Sequence, residues 1–267
     1  MPDRSRADFI EDFDFEALYQ GDPPREGLAS FDVIPWDIGE PQPAVVALER
    51  SGQLHGHILD AGCGLGDNAL FVAECGYRVT GFDAAPTAIT RARERAEDRR
   101  VAAELIQADA TRLDGFEQRF TTVLDSALYH CLGDHQRAAY ASALHRVTRP
   151  GAHLHLFCFA DTDSPGLKLP IRTSQDNLRA HLSGRWSIRS IELTHYTTAI
   201  TRAFLERQDS DTLQAMGIDV DIDARRTDEL GRITSPVWHL HAIRLPDDKV
   251  SRATATHTQH TETGGTK

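Results

Sequence analysis

Leu59-Asp60-Ala61-Gly62-Cys63-Gly64-Leu65-Gly66 is the stretch that decides the fold. A short apolar run, His57 to Ala61, enters a turn with glycine at every second position, and a helical pattern follows. Glycine reaches positive φ cheaply and lets a ligand approach the backbone where a Cβ would clash. The helix N-terminus behind such a turn offers unpaired N–H groups that suit an anionic ligand group. A dinucleotide-binding turn needs Gly-x-Gly-x-x-Gly. Here Gly66 comes one residue early and Asp67 takes the expected place. A phosphate-binding P-loop needs Lys followed by Ser or Thr, and neither is present. A purely structural turn is the remaining plain reading.

Downstream, strand and helix patterns alternate. Strands are expected over 78–82, 103–107, 121–124 and 153–159, and helices over 68–75, 86–99 and 135–147. Pro86 suits a first helical turn. Such alternation implies parallel pairing through right-handed crossovers. The expected fold class is α/β: a doubly wound, mostly parallel, seven-stranded sheet with helices on both faces. Late strands are expected over 186–193 and 237–245, and a helix from Ser174, its N-cap, to Leu182.

Asp83, Asp109 and Asp125 each close an expected strand, at the end where open α/β sheets bind ligands. Asp83 stands near the spacing at which a carboxylate meets ribose hydroxyls; a helix cap for the Pro86 segment is the alternative. Asp109, followed by Ala110, is placed to meet an adenine amino group.

Working outward, residues 1–246 read as one domain. Residues 1–50 form an N-terminal cap segment with a helix over 43–50, residues 206–232 a possible lid insertion, and residues 247–267 a disordered tail. The formal net charge of −11 disfavours a nucleic-acid partner, and no Asn-Pro-Pro-Tyr-like tetrapeptide for extruded bases is present. The densest basic cluster, Arg91, Arg93, Arg95, Arg99 and Arg100, is interleaved with acids and reads as a solvated helix face. No apolar run approaches the roughly 18 residues needed to cross a bilayer, and the N-terminus lacks a signal-peptide core, so no membrane partner is expected and the cytoplasm is the expected location. Cys63, Cys75, Cys131 and Cys158 are scattered, without a Cys-x-x-Cys pair, and read as small buried hydrophobes. No metal ligand set is expected; His257 and His260 read as solvated. Oligomeric state carries no sequence signal.

With glycine loop and ordered carboxylates together, the chain resembles the class I S-adenosylmethionine-dependent methyltransferases over about residues 54–159. It also resembles a narrower group. Phe15-Glu16-Ala17-Leu18-Tyr19-Gln20-Gly21-Asp22-Pro23-Pro24 and Pro35-Trp36-Asp37-Ile38-Gly39-Glu40-Pro41-Gln42-Pro43 are similar to the N-terminal region of thiopurine-methyltransferase-like enzymes. Together with Leu128-Tyr129-His130 after Asp125, they are most like the mycobacterial heterocyclic toxin methyltransferases, which methylate hydroxyquinolones and related compounds.

The resemblance implies S-adenosyl-L-methionine as cofactor, with Trp36, Asp60, Gly62 and Gly64 around its methionine part. It implies Asp83 and Ala84 at the ribose, Asp109 and Ala110 at the adenine, and Asp125 beside them. Outside the family, Trp36 reads as a core aromatic. The implied substrate is a small aromatic heterocycle methylated on O, N or S, against a wall of Phe13, Tyr19 and Leu167; Lys168 in that loop reads as solvated. His130 is the candidate base, because histidine titrates near neutrality; a cofactor-facing or capping histidine is the alternative. Tyr129 is the candidate for orienting substrate, with packing as the alternative. Two other functions compete: a nicotinamide-dependent oxidoreductase, which lacks a Tyr-x-x-x-Lys site here, and a non-catalytic S-adenosylmethionine-binding protein.

Overall fold

A computed structural model describes residues 13–26, 33–162, 171–207, 213 and 226–250. Seven strands form one sheet: β1 (His57–Ala61), β2 (Arg78–Asp83), β3 (Glu104–Gln107), β4 (Phe120–Ser126), β5 (Thr148–Phe159), β6 (Trp186–Thr201) and β7 (Arg232–Arg244). Their order is β3-β2-β1-β4-β5-β7-β6. The first five run parallel; β7 is antiparallel to both β5 and β6. The central parallel strands are buried nearly throughout, because helices cover both faces.

The helices are α1 (Phe15–Gln20), α2 (Pro43–Arg50), α3 (Asp67–Glu74), α4 (Pro86–Arg99), α5 (Asp134–Val147), α6 (Gln175–Leu182) and α7 (Arg202–Glu206), with a 3₁₀ turn at Tyr129–Cys131. On one face, Val45 and Leu48 of α2, Leu70 and Val72 of α3 and Ala92 of α4 pack on Ile58, Leu124 and Phe157. On the other, Tyr140 and Leu144 of α5 and Leu178 of α6 pack on Leu154, Leu156 and Leu240. Each fully buried Leu or Phe in these layers contributes about 1.5–3 kcal/mol relative to exposure.

Chain order reverses between β1 and β4, so a crevice opens at their C-terminal ends. Three expectations need correction. β6 continues to Thr201 rather than stopping at Leu193, because its polar tail is pinned: Ala199 N–H donates to the Pro35 carbonyl, and Gln42 bonds both the N–H and the carbonyl of Thr197. β7 begins at Arg232, inside the stretch assigned to an insertion, after a turn in which Asp228 accepts from the N–H groups of Leu230 and Arg232. Cys75 is exposed rather than buried. The rest of the expected insertion (208–212 and 214–225), the tail from 251, Leu167 and Lys168 lie outside the described residues.

Candidate active site

The glycine turn is held from below: Cys63 N–H donates to the Phe82 carbonyl, and Gly66 N–H to the Cys63 carbonyl. Gly62 and Gly64 have φ of 67° and 52°, a region costly for other residues. Neither tolerates a side chain. A Cβ on Gly62 would stand 2.8 Å from the Leu128 Cβ, and one on Gly64 2.9 Å from the Tyr19 hydroxyl. The turn is therefore wedged between the loop after β4 and the N-terminal segment, with only backbone facing the crevice.

Asp60 ends β1 fully buried, and neither carboxylate oxygen has a hydrogen-bond partner. Burial raises its pKa to about 7, and Asp125 on the neighbouring strand adds repulsion; the Ala69 N–H, outside bonding geometry, lowers it only in part. An unpaired buried carboxyl is costly and marks a place where a ligand's donors or positive charge belong. Asp83 spans the next gap: one oxygen accepts from Gly64 N–H at 2.9 Å and the other from Ala85 N–H at 3.0 Å. Burial raises its pKa, against the pull of those N–H groups. Each oxygen retains a lone pair for a diol. Ala84 is exposed beside it, its carbonyl accepting from Gln107. Asp109 uses one oxygen for the N–H and hydroxyl of Thr111 and keeps its other outward, with Ala110 buried alongside.

Trp36 and Tyr19 close the crevice from the N-terminal side. The Trp36 indole N–H donates to the Tyr19 hydroxyl at 2.9 Å, and Phe13, Phe15, Trp36 and Tyr19 form a chain of ring contacts 4.8–6.0 Å apart. This cap is bolted down. Asp14 caps α1 through Ala17 N–H, while Glu16 accepts from the N–H and hydroxyl of Thr87 at the start of α4. The arginines of α4 are solvated only in part: Arg93, Arg99 and the C-cap Arg100 are exposed as the sequence implied, while Arg91 and Arg95 are half-buried. Arg91 donates to the Tyr19 carbonyl, Arg93 to the Leu105 carbonyl, and Arg95 to both Asp37 and Asp67.

Two expected site residues are tied tightly into the fold around them. Asp125 is fully buried and accepts from Leu128 N–H at 2.9 Å, Tyr129 N–H at 3.3 Å and the Tyr140 hydroxyl at 2.9 Å. It shapes the loop after β4, and burial raises its pKa to about 7. Tyr129 is likewise fully buried, its hydroxyl donating to Asn177 and its ring under the Arg137 guanidinium. In the same loop Ala127 holds φ at 81°, a strained value for a residue with a Cβ. His130 lies buried against the Phe159 ring at 4.5 Å, its Nδ1 accepting the Phe159 N–H.

Sequence reasoning missed the polar floor between α2, α3 and β6. Asn68 accepts from Gln42 N–H and donates to Ser126, which meets the Tyr196 hydroxyl at 2.9 Å. Asn68 two residues past the last glycine was the available signal.

A carboxylate with orphaned oxygens, a second one spaced for a diol, and a side-chain-free turn at a helix N-terminus fit S-adenosylmethionine; this fold and crevice define a class I methyltransferase. The comparisons agree. Residues 58–151 match the model of a methyltransferase domain. The 2-heptyl-1-hydroxyquinolin-4(1H)-one methyltransferase of Mycobacteroides abscessus is 37% identical over 179 residues, 66% of this chain and 78% of that protein. A structure solved for the conversion of a disulfide bond into a thioacetal group during echinomycin biosynthesis is 33% identical, with a TM-score of 0.69, covering 92% of this chain and 97% of that one. A methyltransferase of Methanosarcina mazei shares the fold alone, at 19% identity and a TM-score of 0.54, over 74% of this chain and 98% of that one. The chain belongs to the S-adenosylmethionine-dependent methyltransferases, in the family of the hydroxyquinolone enzyme.

Proposed function

We propose that the protein methylates an oxygen, nitrogen or sulfur atom of a small aromatic heterocycle, with a hydroxyquinolone as the representative substrate. The likeness to the mycobacterial enzyme carries this reading. The ring chain from Phe13 to Trp36 beside the glycine turn supports it, since flat apolar ligands are held by aromatic walls. Methylation caps an acidic or chelating hydroxyl, and that is the sense in which the reaction detoxifies.

The bound cofactor supplies an activated methyl group for in-line displacement. The protein's part is alignment and exclusion of water; orientation alone is worth roughly 7–11 kcal/mol of barrier. Asp60 would hold the cofactor's positively charged end, which would draw it to its ionised form. Asp83 would hold the ribose and Asp109 with Ala110 the adenine edge, and α1 with Trp36 would cover the site.

His130 acts as a donor and not as the base. With Nδ1 accepting from Phe159 N–H, the neutral ring carries its proton on Nε2, which leaves no lone pair there to take another. That N–H steadies a substrate oxygen as it reacts, and a substrate hydroxyl acidic enough to ionise needs no base. His130→Ala should lower turnover at least tenfold with cofactor affinity within twofold, and His130→Gln, which keeps a donor, should recover part of it. Equal turnover at saturating substrate would remove His130 from the reaction.

Mass spectrometry tests the whole reading. Incubation with S-adenosylmethionine and a panel of hydroxyquinolones, hydroxyquinolines and aryl thiols should yield a singly methylated product from at least one. Cofactor binding without turnover on the panel would favour a non-catalytic binder.

A further inference from the structure

Away from the crevice, five histidines converge on the face of the sheet that carries α2. The register explains four of them. His153 and His155 alternate on β5, His239 and His241 on β7, and His155 stands directly across from His241. Side chains two apart on a strand share a face. His55, just before β1, adds an edge contact to His153 at 4.3 Å. One ring nitrogen each from His153, His155 and His241 lies within 4.8 Å of the others. The His153 Nδ1 and His241 Nε2 are 3.1 Å apart. The Nδ1 of His155 is engaged with His239 Nε2 at 3.2 Å, which leaves the buried Nε2 of His155 with no partner.

We propose that His153, His155 and His241 form a binding site for a divalent transition-metal ion of the zinc class, with His239 as the outer hydrogen-bond partner that orients His155. Three features carry it. Two nitrogens bound to one tetrahedral zinc stand about 3.3 Å apart, close to the His153–His241 separation. The orphaned His155 Nε2 is the third ligand. A metal-bound histidine normally donates its other ring N–H to a neighbour, the contact His155 makes with His239. His155 and His241 now stack in parallel at 4.6 Å, so metal uptake turns the half-buried His241 ring until the two in-plane lone pairs meet. Burial and the neighbouring rings hold His155 at about 2 and burial holds His239 at about 4, while burial, with neighbouring rings and the Arg189 guanidinium behind it, lowers His153 and His241. All four rings are therefore neutral at pH 7, the form that binds a metal. His153 and His241 are half-buried, which leaves the fourth coordination position open toward solvent.

The test uses the full chain without an affinity tag, stripped by chelator dialysis and titrated with Zn²⁺ in a calorimeter and with Co²⁺ in a spectrophotometer. One equivalent per chain with micromolar or tighter affinity is expected, with visible Co²⁺ bands of a four-coordinate site. His153→Ala and His241→Ala should each weaken Zn²⁺ at least tenfold while S-adenosylhomocysteine affinity, the check on folding, stays within twofold. His257→Ala/His260→Ala should change nothing. No Zn²⁺ binding would overturn the site, as would stoichiometric binding that survives the His153 and His241 changes or vanishes in the tail variant.

Discussion

Asp60 and Asp125 sit one step apart at the ends of adjacent parallel strands, both fully buried and both pushed by that burial to about 7. Their loops nevertheless do opposite things. The loop after Asp125 turns two N–H donors back on its carboxylate, the Tyr140 hydroxyl of α5 adds a third, and the result is a wall. The loop after Asp60 runs away through three left-handed glycines and leaves the carboxylate unpaired. The lesson is that a strand-end aspartate left wholly unsatisfied by its own chain, as Asp60 is, is a stronger mark of a ligand than one engaged from three sides, as Asp125 is.

The largest expected effect that would break this contrast is on stability. Asp125→Ala leaves two backbone N–H groups and the Tyr140 hydroxyl unsatisfied, at about 1–3 kcal/mol each. With roughly 2–4 °C lost per kcal/mol in a chain of this size, the melting temperature should fall by about 6 °C or more. An unchanged melting curve would mean that Asp125 is not the keystone of its loop.

Asp60→Asn should act the other way on the cofactor-free protein. A carboxyl whose folded pKa is raised binds its proton more tightly when folded. It therefore costs stability as pH rises from the unfolded value near 4 through about 7. The variant should accordingly melt higher than wild type at pH 8 and the difference should shrink by pH 5. A difference independent of pH would contradict the assigned burial cost.

Asp83→Ala should weaken S-adenosylmethionine at least tenfold, about 1.4 kcal/mol, in calorimetry. Gly64→Ala forces a Cβ into the Tyr19 hydroxyl and should loosen the cap, seen as faster protease cleavage near α1. Smallest of all, Glu16→Gln should cost about 1 kcal/mol of cap docking, because the charge and one of the two acceptor oxygens facing Thr87 are lost.

The same contrast explains what the sequence revealed. The parallel strands, the glycine turn and Asp83 were legible because their logic is local: an apolar run, a positive φ, a carboxylate at a fixed spacing. The burial of Asp125 and Tyr129 was not legible because their partners, Tyr140 and Asn177, come from helices that only the fold brings near. Arg91 and Arg95 of α4 read as solvated for the same reason, since Asp37, Asp67 and the Tyr19 carbonyl lie on other segments. The tail of β6 is polar and reads as loop until Gln42 and Pro35 are seen holding it. His-x-His occurs on both β5 and β7, yet the register that stacks them is not written in either strand alone.

The most direct test is calorimetric titration of S-adenosylhomocysteine and S-adenosylmethionine into wild-type protein and Asp60→Asn at pH 7.5. Micromolar binding to wild type, at least tenfold weaker in the variant for S-adenosylmethionine, is the predicted result. Equal affinity in the two proteins would contradict the account, because the unpaired carboxylate would then have no part in holding the cofactor.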